Sequence, residues 1–490
     1  MDRSGKRAQF TPAEHKFLAG LRTGPANFEF KNWANTFSSK PMLYLAPQTE
    51  GEIIELVRIA NKHQLTIKPI GCGHSPSDIA CTDALMLNMD KFNRVLAHDP
   101  YACTLTVEAG VRLHQLHQML HQRNMALSTL GSISDQSIAG AIATATHGTG
   151  MDYSDLSAMV IELVIIDGSG NRLKCSTTQN KDLFDAARCS LGALGIITQL
   201  TLQCEPAFTL HAVQTPENLD NILNNLSEVV YSAEHVRFWW FPHTDSTVVW
   251  RANRSSLPPQ PSPESFLRDR LYGFHYYQLQ LYKARFNPDS IPKLTEEHFS
   301  NRFDRRIEWV DDSFKVFNFD CLFPQYVNEW AVPWENAAEA LRQLRIWINA
   351  QARDPKGVRV HFPVEVRFVK ENDVWLSPAY QRTVCYIGVI MYRPYHKAVP
   401  YKKYWKVYED IMRTLGGRPH WAKAHKMYYY DLLDAYPKFA DFVKLRAQCD
   451  PNNIFVNDYI ARHLLSPSEQ ADLLAAGDTS SKITDEQPKL

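Results

Sequence analysis

A chain of 490 residues is longer than one ordinary hydrophobic core can organise, so two domains are expected. Its 53 lysines and arginines balance 53 aspartates and glutamates, which removes any whole-chain electrostatic case for nucleic acid or an anionic membrane as partner. Nine scattered cysteines without a CxxC pair exclude a disulfide framework or a zinc ribbon and fit a reducing compartment.

The opening MDRSGKRAQF has no apolar core of a secretory signal. No uninterrupted apolar run reaches the roughly 18 residues a membrane helix needs. The closing Pro-Lys-Leu differs at its first position from the Ser-Lys-Leu peroxisomal address. An intracellular protein, cytoplasmic and either soluble or peripherally bound to a membrane, is the expectation.

Thr49 and Glu52 have capping-box spacing, and Ile53, Leu56, Val57 and Ala60 recur with helical period, which predicts a helix running toward His63. LTIKPI follows as a strand, and directly behind it stands GCGHSPSD. LMLNM and TLTVEAG read as strands and VRLHQLHQMLHQRN as a helix. SIAGAIATATHGTG is rich in small residues that let backbone approach a bound group. VIELVIIDGSGNRLKCS reads as a hairpin, and SLGALGIITQLTLQCE as a small-residue turn entering a strand. These elements interleave, so the first domain, residues 36–206, is α+β behind an N-terminal segment 1–35.

Residues 207–418 form the second domain, also α+β. AFTLHAV opens it, LPPQPSP at 257–263 reads as a surface loop, and VRVHFPVEVRFVK (358–370) and RTVCYIGVIMYRP (382–394) alternate as strands. The helical stretches ENAAEALRQLRIWINAQ and YKKYWKVYEDIMRTLGG flank them, which predicts a sheet with helices on one face. Residues 419–465 make a C-terminal segment, and the polar tail 466–490 is expected to be disordered.

Three constellations carry chemistry. Gly71-Cys72-Gly73-His74-Ser75-Pro76 lacks the third glycine of a dinucleotide fingerprint, and Pro76 disfavours a Rossmann helix. An anion-binding nest and a plain tight turn both remain open there. His114, His117 and His121 fall on one helical face, open to a metal, or simply a solvated face beside Leu113, Leu116 and Leu120. Glu365 and Arg367 alternate with Val364, Val366 and Phe368, so they share one strand face either as a structural ion pair or as the wall of a site. Lys423 lies in HWAKAH beside Trp421 and His420, a context that favours burial.

GCGHSPSDIACTD, VEAGVRLHQL, TLGSISDQSIAGAIATATHGTG, SLGALGIIT, PVEVRFV, MYRPY and GGRPHWAKAH together resemble, in order and spacing, the sugar-1,4-lactone oxidases of the vanillyl-alcohol-oxidase flavoprotein family, over about residues 30–465. The resemblance implies an FAD-binding domain of two α+β subdomains, an α+β cap, and a C-terminal segment returning to the flavin. It implies a covalent FAD on His74, a pyrophosphate seat at Gly71, Cys72, Gly73 and Ser75 beside Ile70, and further cofactor contacts at Ser132, Ser137, Gly140, Thr146, His147, Gly148 and Ile197. Plant dehydrogenases of the family have alanine where this chain has Gly131, so oxidase chemistry with O2 is implied. Glu365, Arg367 and Lys423 match the catalytic positions. The implied reaction removes the C2 hydrogen of an aldono-1,4-lactone as hydride, giving an ascorbate-type product and H2O2. An alditol or other carbohydrate oxidase on the same fold is the alternative, and a catalytically silent flavin-binding protein a third. No metal is implied. The residues around 264–303 are more charged than in the membrane-associated members, which leaves at most a surface helix.

Overall fold

The computed structural model describes residues 9–260, 273–319 and 324–475. In the first domain, the helix Glu50–Lys62 starts on the expected capping box, Thr49 Oγ1 accepting from the Glu52 N–H and the Glu52 carboxylate accepting from the Thr49 N–H. Its apolar stripe, Ile53, Leu56, Val57 and Ala60, is fully buried against a three-stranded parallel sheet, Leu43–Leu45, Leu85–Asn88 and Ile67–Ile70. The glycine motif leaves the last of these strands as a loop, with no helix behind it. A second, antiparallel sheet of five strands runs in the order Arg172–Ser176, Val160–Ile166, Ile196–Gln203, Thr104–Glu108 and Val95–Asp99, with 160–176 as the expected hairpin.

The second domain is built on one antiparallel sheet of eight strands. Its order is Ile307–Asp312, Thr209–Asn218, Ser246–Ser255, His235–Trp240, Val364–Val369, Val384–Tyr392, Gln325–Pro333 and Arg418–Pro419. Helices Ala337–Arg353 and Lys402–Thr414 share one hydrophobic core with Val364, Val366, Ile387 and Val389 of the sheet. The expected strand 358–370 is shorter than its alternation suggests. Pro363 has no N–H for a ladder bond, and the segment before it is held by the Arg359 guanidinium, which donates to the carbonyls of Gln351, Asp354 and Gly357.

The tail expectation needs correction at its start, because Pro467–Ala475 is a helix whose Ser466 and Glu469 form a capping box at its N-terminus. The rest of the tail, the end of the 257–263 loop and the stretch 264–272 lie outside the described residues. The following part of the charged stretch forms helices Tyr277–Ala284 and Ile291–Arg302. Among the described residues, no helix is long and apolar enough to cross a membrane.

The C-terminal segment closes back on the first domain. Ile67 N–H donates to the Ile454 carbonyl at 2.8 Å, Asn457 Nδ2 donates to the carbonyls of Ile79 and Cys81 just past the glycine motif, and Arg462 pairs with Asp78 at 2.7 Å.

Candidate active site

The glycine motif opens into a cleft with about 870 Å³ of empty space. Ile70, Gly71, Cys72, Gly73, His74 and Ser75 line one wall, and Ser137, Gly140 and Ile197 line the other side. Two glycines are required by close approach: a Cβ on Gly71 would fall 2.1 Å from Ser137 Oγ, and one on Gly140 would fall 2.9 Å from the same oxygen. Gly73 sits at φ +65°, a left-handed conformation that turns the loop. Small residues and main-chain N–H groups along an elongated cleft fit a dinucleotide such as FAD. Lys68, which sequence reasoning passed over, enters the same cleft; burial pushes its ammonium down to about 7, and it donates to the carbonyls of Leu191 and Gly192.

Gly131, Ser132, Thr146, His147 and Gly148 do not line that cleft. They lie where the first domain meets the cap sheet. Gly148 is forced by Thr129, whose hydroxyl a Cβ would meet at 2.1 Å, and a Cβ on Gly131 would crowd Thr146 Cγ2 at 3.2 Å and the His147 carbonyl at 3.3 Å. The buried hydroxyls of Thr129 and Thr146 have no hydrogen-bond partner among the described residues.

The register of the cap sheet explains what faces them. Trp239, Glu365, Gly388 and Glu329 stand side by side on adjacent strands, and Arg237, Arg367, Tyr386 and Ala331 form the next row of the same face. Arg367 Nη2 pairs with Glu365 Oε1 at 2.6 Å and donates to Ser132 Oγ. Two strands away, Glu329 Oε2 pairs with Lys423 Nζ at 3.1 Å, and its Oε1 lies 3.4 Å from His147 Nε2. The His147 ring stacks on Tyr386 at 3.6 Å between centroids. Gly388 separates the two carboxylate–cation pairs. The strands that carry the two carboxylates lie about 10 Å apart at two strand spacings, and the position over Gly388, toward which Glu329 Oε1 leans, is the cap slot.

The electrostatics follow from burial. Burial raises the Glu329 carboxyl, but the Lys423 charge and the His147 hydrogen bond outweigh it and hold the group well below the usual carboxylate range. Burial, helped by Lys423, pushes the His74 imidazole down to about 4, so it is neutral at physiological pH, and Trp33 covers its ring at 4.6 Å. Burial and Lys423 likewise hold His420 well below its ordinary value. His420 donates its backbone N–H to the Glu329 carbonyl, and the Lys423 N–H donates to the His420 carbonyl. The C-terminal segment thereby places the lysine.

The structure thus brings Glu365, Arg367 and Lys423 to one place and His74 close enough to feel the Lys423 charge. Glu329, Arg237, Tyr386 and Gly388 were missed. Glu329 and Arg237 carry the signal that singled out Arg367, an ionisable residue inside an apolar strand, in QYVNEWAVP and HVRFWW. The helical histidines are not gathered. His114 Nδ1 contacts the Ser134 carbonyl, while buried His117 contacts Asn318. His147, Glu329 and His420 do present ligand atoms within 4.8 Å of one another, but Lys423 already holds the carboxylate.

Comparison with known proteins agrees with this arrangement. The family described as D-arabinono-1,4-lactone oxidase matches residues 200–463, and that described as FAD binding domain matches residues 41–176. The L-gulonolactone oxidase of Scyliorhinus torazame is 41% identical over 441 residues, covering 90% of this chain and 99% of that protein. The D-arabinono-1,4-lactone oxidase of Candida glabrata is 31% identical over 504 residues, covering 88% and 96%. A cholesterol oxidase structure from Brevibacterium sterolicum superposes with TM-score 0.74 at 16% identity, covering 91% of this chain and all of that one, which establishes the vanillyl-alcohol-oxidase fold. With a domain built for FAD, a cap of the lactone-oxidase type and relatives that match from end to end, the chain belongs to the D-arabinono-1,4-lactone oxidase family of flavoproteins.

Proposed function

We propose that the protein is an FAD-dependent oxidase of aldono-1,4-lactones, acting at the C2 hydroxyl with O2 as acceptor. The observation that carries this reading is the slot over Gly388, walled by Glu365–Arg367 on one side and Glu329–Lys423 on the other. A neutral, hydroxyl-rich ring finds acceptors and donors at both ends of such a slot, whereas a sterol-like substrate would take water from the two ion pairs and offer them almost no hydrogen bonds in return.

Gly71, Cys72, Gly73, Ser75, Ser137, Gly140 and Ile197 would hold FAD, with Ser132, Thr146, His147 and Gly148 at its cap-facing end. Bound there, FAD would supply a two-electron acceptor for oxidation at C2, with O2 as the final oxidant and H2O2 as the by-product. Lys423 and Arg367 donate hydrogen bonds to the C2 oxygen and stabilise negative charge as its proton leaves. Glu329, held as a carboxylate, orients Lys423 and accepts from ring hydroxyls, and Glu365 does the same for Arg367. His74, kept neutral by burial, is the proposed covalent tether to the flavin 8α-methyl. The absence of a methyl at Gly131, where a Cβ would crowd Thr146, is taken to favour O2 as the acceptor.

One preparation tests both parts. Acid-denatured protein is expected to retain yellow flavin, and flavin released from the polypeptide removes the tether. H2O2 release is then measured with L-gulono-, D-arabinono-, L-galactono- and D-glucono-lactones and with alditols. Turnover of alditols without any lactone overturns the substrate class.

A further inference from the structure

Arg237 is a fully formed feature of the site that the reaction outlined above does not use. It is 4% exposed and occupies the sheet row of Arg367, its direct neighbour on the adjacent strand. Among the described residues it makes no ion pair. Its guanidinium carbon lies 4.3 Å from the Trp250 ring, 4.9 Å from Phe319 and 5.1 Å from Trp239, so aromatic faces rather than a carboxylate compensate its burial. A guanidinium sandwiched by rings keeps its N–H edge free, the edge that recognises planar oxyanions in a bidentate manner.

That edge is poorly used. Nη1 reaches Ser132 Oγ only at 3.5 Å, and Nε has no hydrogen-bond partner among the described residues. The same Ser132 hydroxyl accepts from Arg367, whose Nε is also without a hydrogen-bond partner among the described residues. Among these residues Glu365 is paired with Arg367 alone, and the two adjacent guanidiniums each keep a buried Nε–H without an acceptor. Burial and repulsion from Arg367 outweigh the attraction of Glu365 and push Arg237 down to about 9.

We infer that Arg237 and Arg367 form an oxyanion seat, and that its ligand is the delocalised enediolate of the oxidised lactone. The identity of the anion rests on the proposed function; the seat itself rests on the geometry. Oxidation of a C2 hydroxyl leaves a 2-keto-lactone. Moving the C3 hydrogen to the C2 oxygen gives an enediol conjugated to the lactone carbonyl, and loss of one hydroxyl proton gives a planar monoanion, with no further redox step. The substrate is neutral and the product anionic. A seat with surplus positive charge holds the product more tightly than the substrate, so the enzyme is inhibited by what it makes.

The test uses the flavin-loaded enzyme under anaerobic conditions, with L-ascorbate as the enediolate probe and a 2-deoxy-aldonolactone as the neutral control. Binding is read from perturbation of the flavin spectrum. Arg237→Met is expected to weaken ascorbate at least tenfold and the neutral lactone less than twofold, and Arg237→Lys to recover part of the loss. Circular dichroism and flavin content establish that each variant is folded; should Arg237→Met fail to fold, the same comparison is made with Arg237→Lys and Arg237→Gln, each expected to weaken ascorbate selectively. Unchanged ascorbate affinity, or equal weakening of both ligands, overturns the proposal. So does a lowered flavin reduction potential with ascorbate affinity intact, which would assign the charge to the cofactor. If the wild-type protein oxidises no lactone yet binds ascorbate through Arg237, the proposed function fails while the seat stands.

Discussion

The cofactor cleft and the cap slot meet at Ser132 and His147 but are made by opposite means. The cleft is shaped by what is missing: Gly71 and Gly140 stand where a single methyl would collide with Ser137. The slot is shaped by what is added, three charged side chains set on a sheet face and Lys423 from the turn beyond it, held in two close pairs. A pocket made by subtraction accepts a large ligand through main-chain groups and changes little when a distant side chain is altered. A pocket made by paired charges depends on each partner, because removing one leaves the other buried and uncompensated.

The largest effect is expected at the charges. Lys423→Ala should lower kcat/KM for the preferred lactone by about 10³-fold with flavin content unchanged, measured by H2O2 release. Full activity in that variant removes the lysine from the reaction. Glu329→Gln should lower kcat by about 10²-fold and destabilise the fold by about 3 kcal/mol, since Lys423 loses its counter-charge in a buried site. An unaffected kcat in Glu329→Gln would mean that the second pair is structural. On the other side of the comparison, Gly71→Ala should cut bound flavin about tenfold, read from absorbance per polypeptide, whereas the charge variants should not. Flavin loss in Lys423→Ala equal to that in Gly71→Ala would erase the distinction between the two regions.

Gly388→Ala gives a smaller and more specific effect. Its Cβ would meet Glu329 Oε1 and Glu365 Cβ at 3.8 Å, ordinary contact, so folding and flavin should be untouched while KM rises several-fold because the slot is shallower. The mildest effect concerns pH. Burial pushes His117 and His235 down to about 4, from an ordinary value near 6.5. The unfolded chain takes up a proton on each as pH falls through 6.5, and the folded chain does not until about 4. Stability is therefore complete above pH 6.5 and declines between 6.5 and 4, by about 3 kcal/mol per histidine at most. A Tm constant from pH 7 to 5 contradicts this.

The same contrast governs what the sequence disclosed. A main chain that must approach a phosphate closely demands glycine at fixed spacing, so Gly71, Gly73 and Gly140 were visible in a short stretch. Glu365 and Arg367 were visible because they are two residues apart on one strand. Their partners are not local: Glu329 joins the site through strand 325–333 and Arg237 from more than a hundred residues upstream, both by register across a sheet, while Lys423 comes from the turn after strand Arg418–Pro419. Each lay within an apolar run that marked it as unusual, yet only pairing decides which unusual residues meet. The helical histidines show the converse, a regular pattern on one face whose members take unrelated partners, His114 at the Ser134 carbonyl and His117 and His121 against Phe314.

The return of the C-terminus has a consequence for how the protein is made. The strand that launches the glycine motif is bonded through Ile67 to Ile454, the loop beyond it is clasped by Asn457, and Arg462 anchors Asp78. These contacts join parts of the chain separated by more than 370 residues. While a ribosome is still adding the middle of the polypeptide, the first domain lacks its last wall. Flavin capture is expected to wait until residues 454–462 have been added, and a polypeptide cut before Ile454 would carry every nucleotide-binding motif with this wall of the first domain missing.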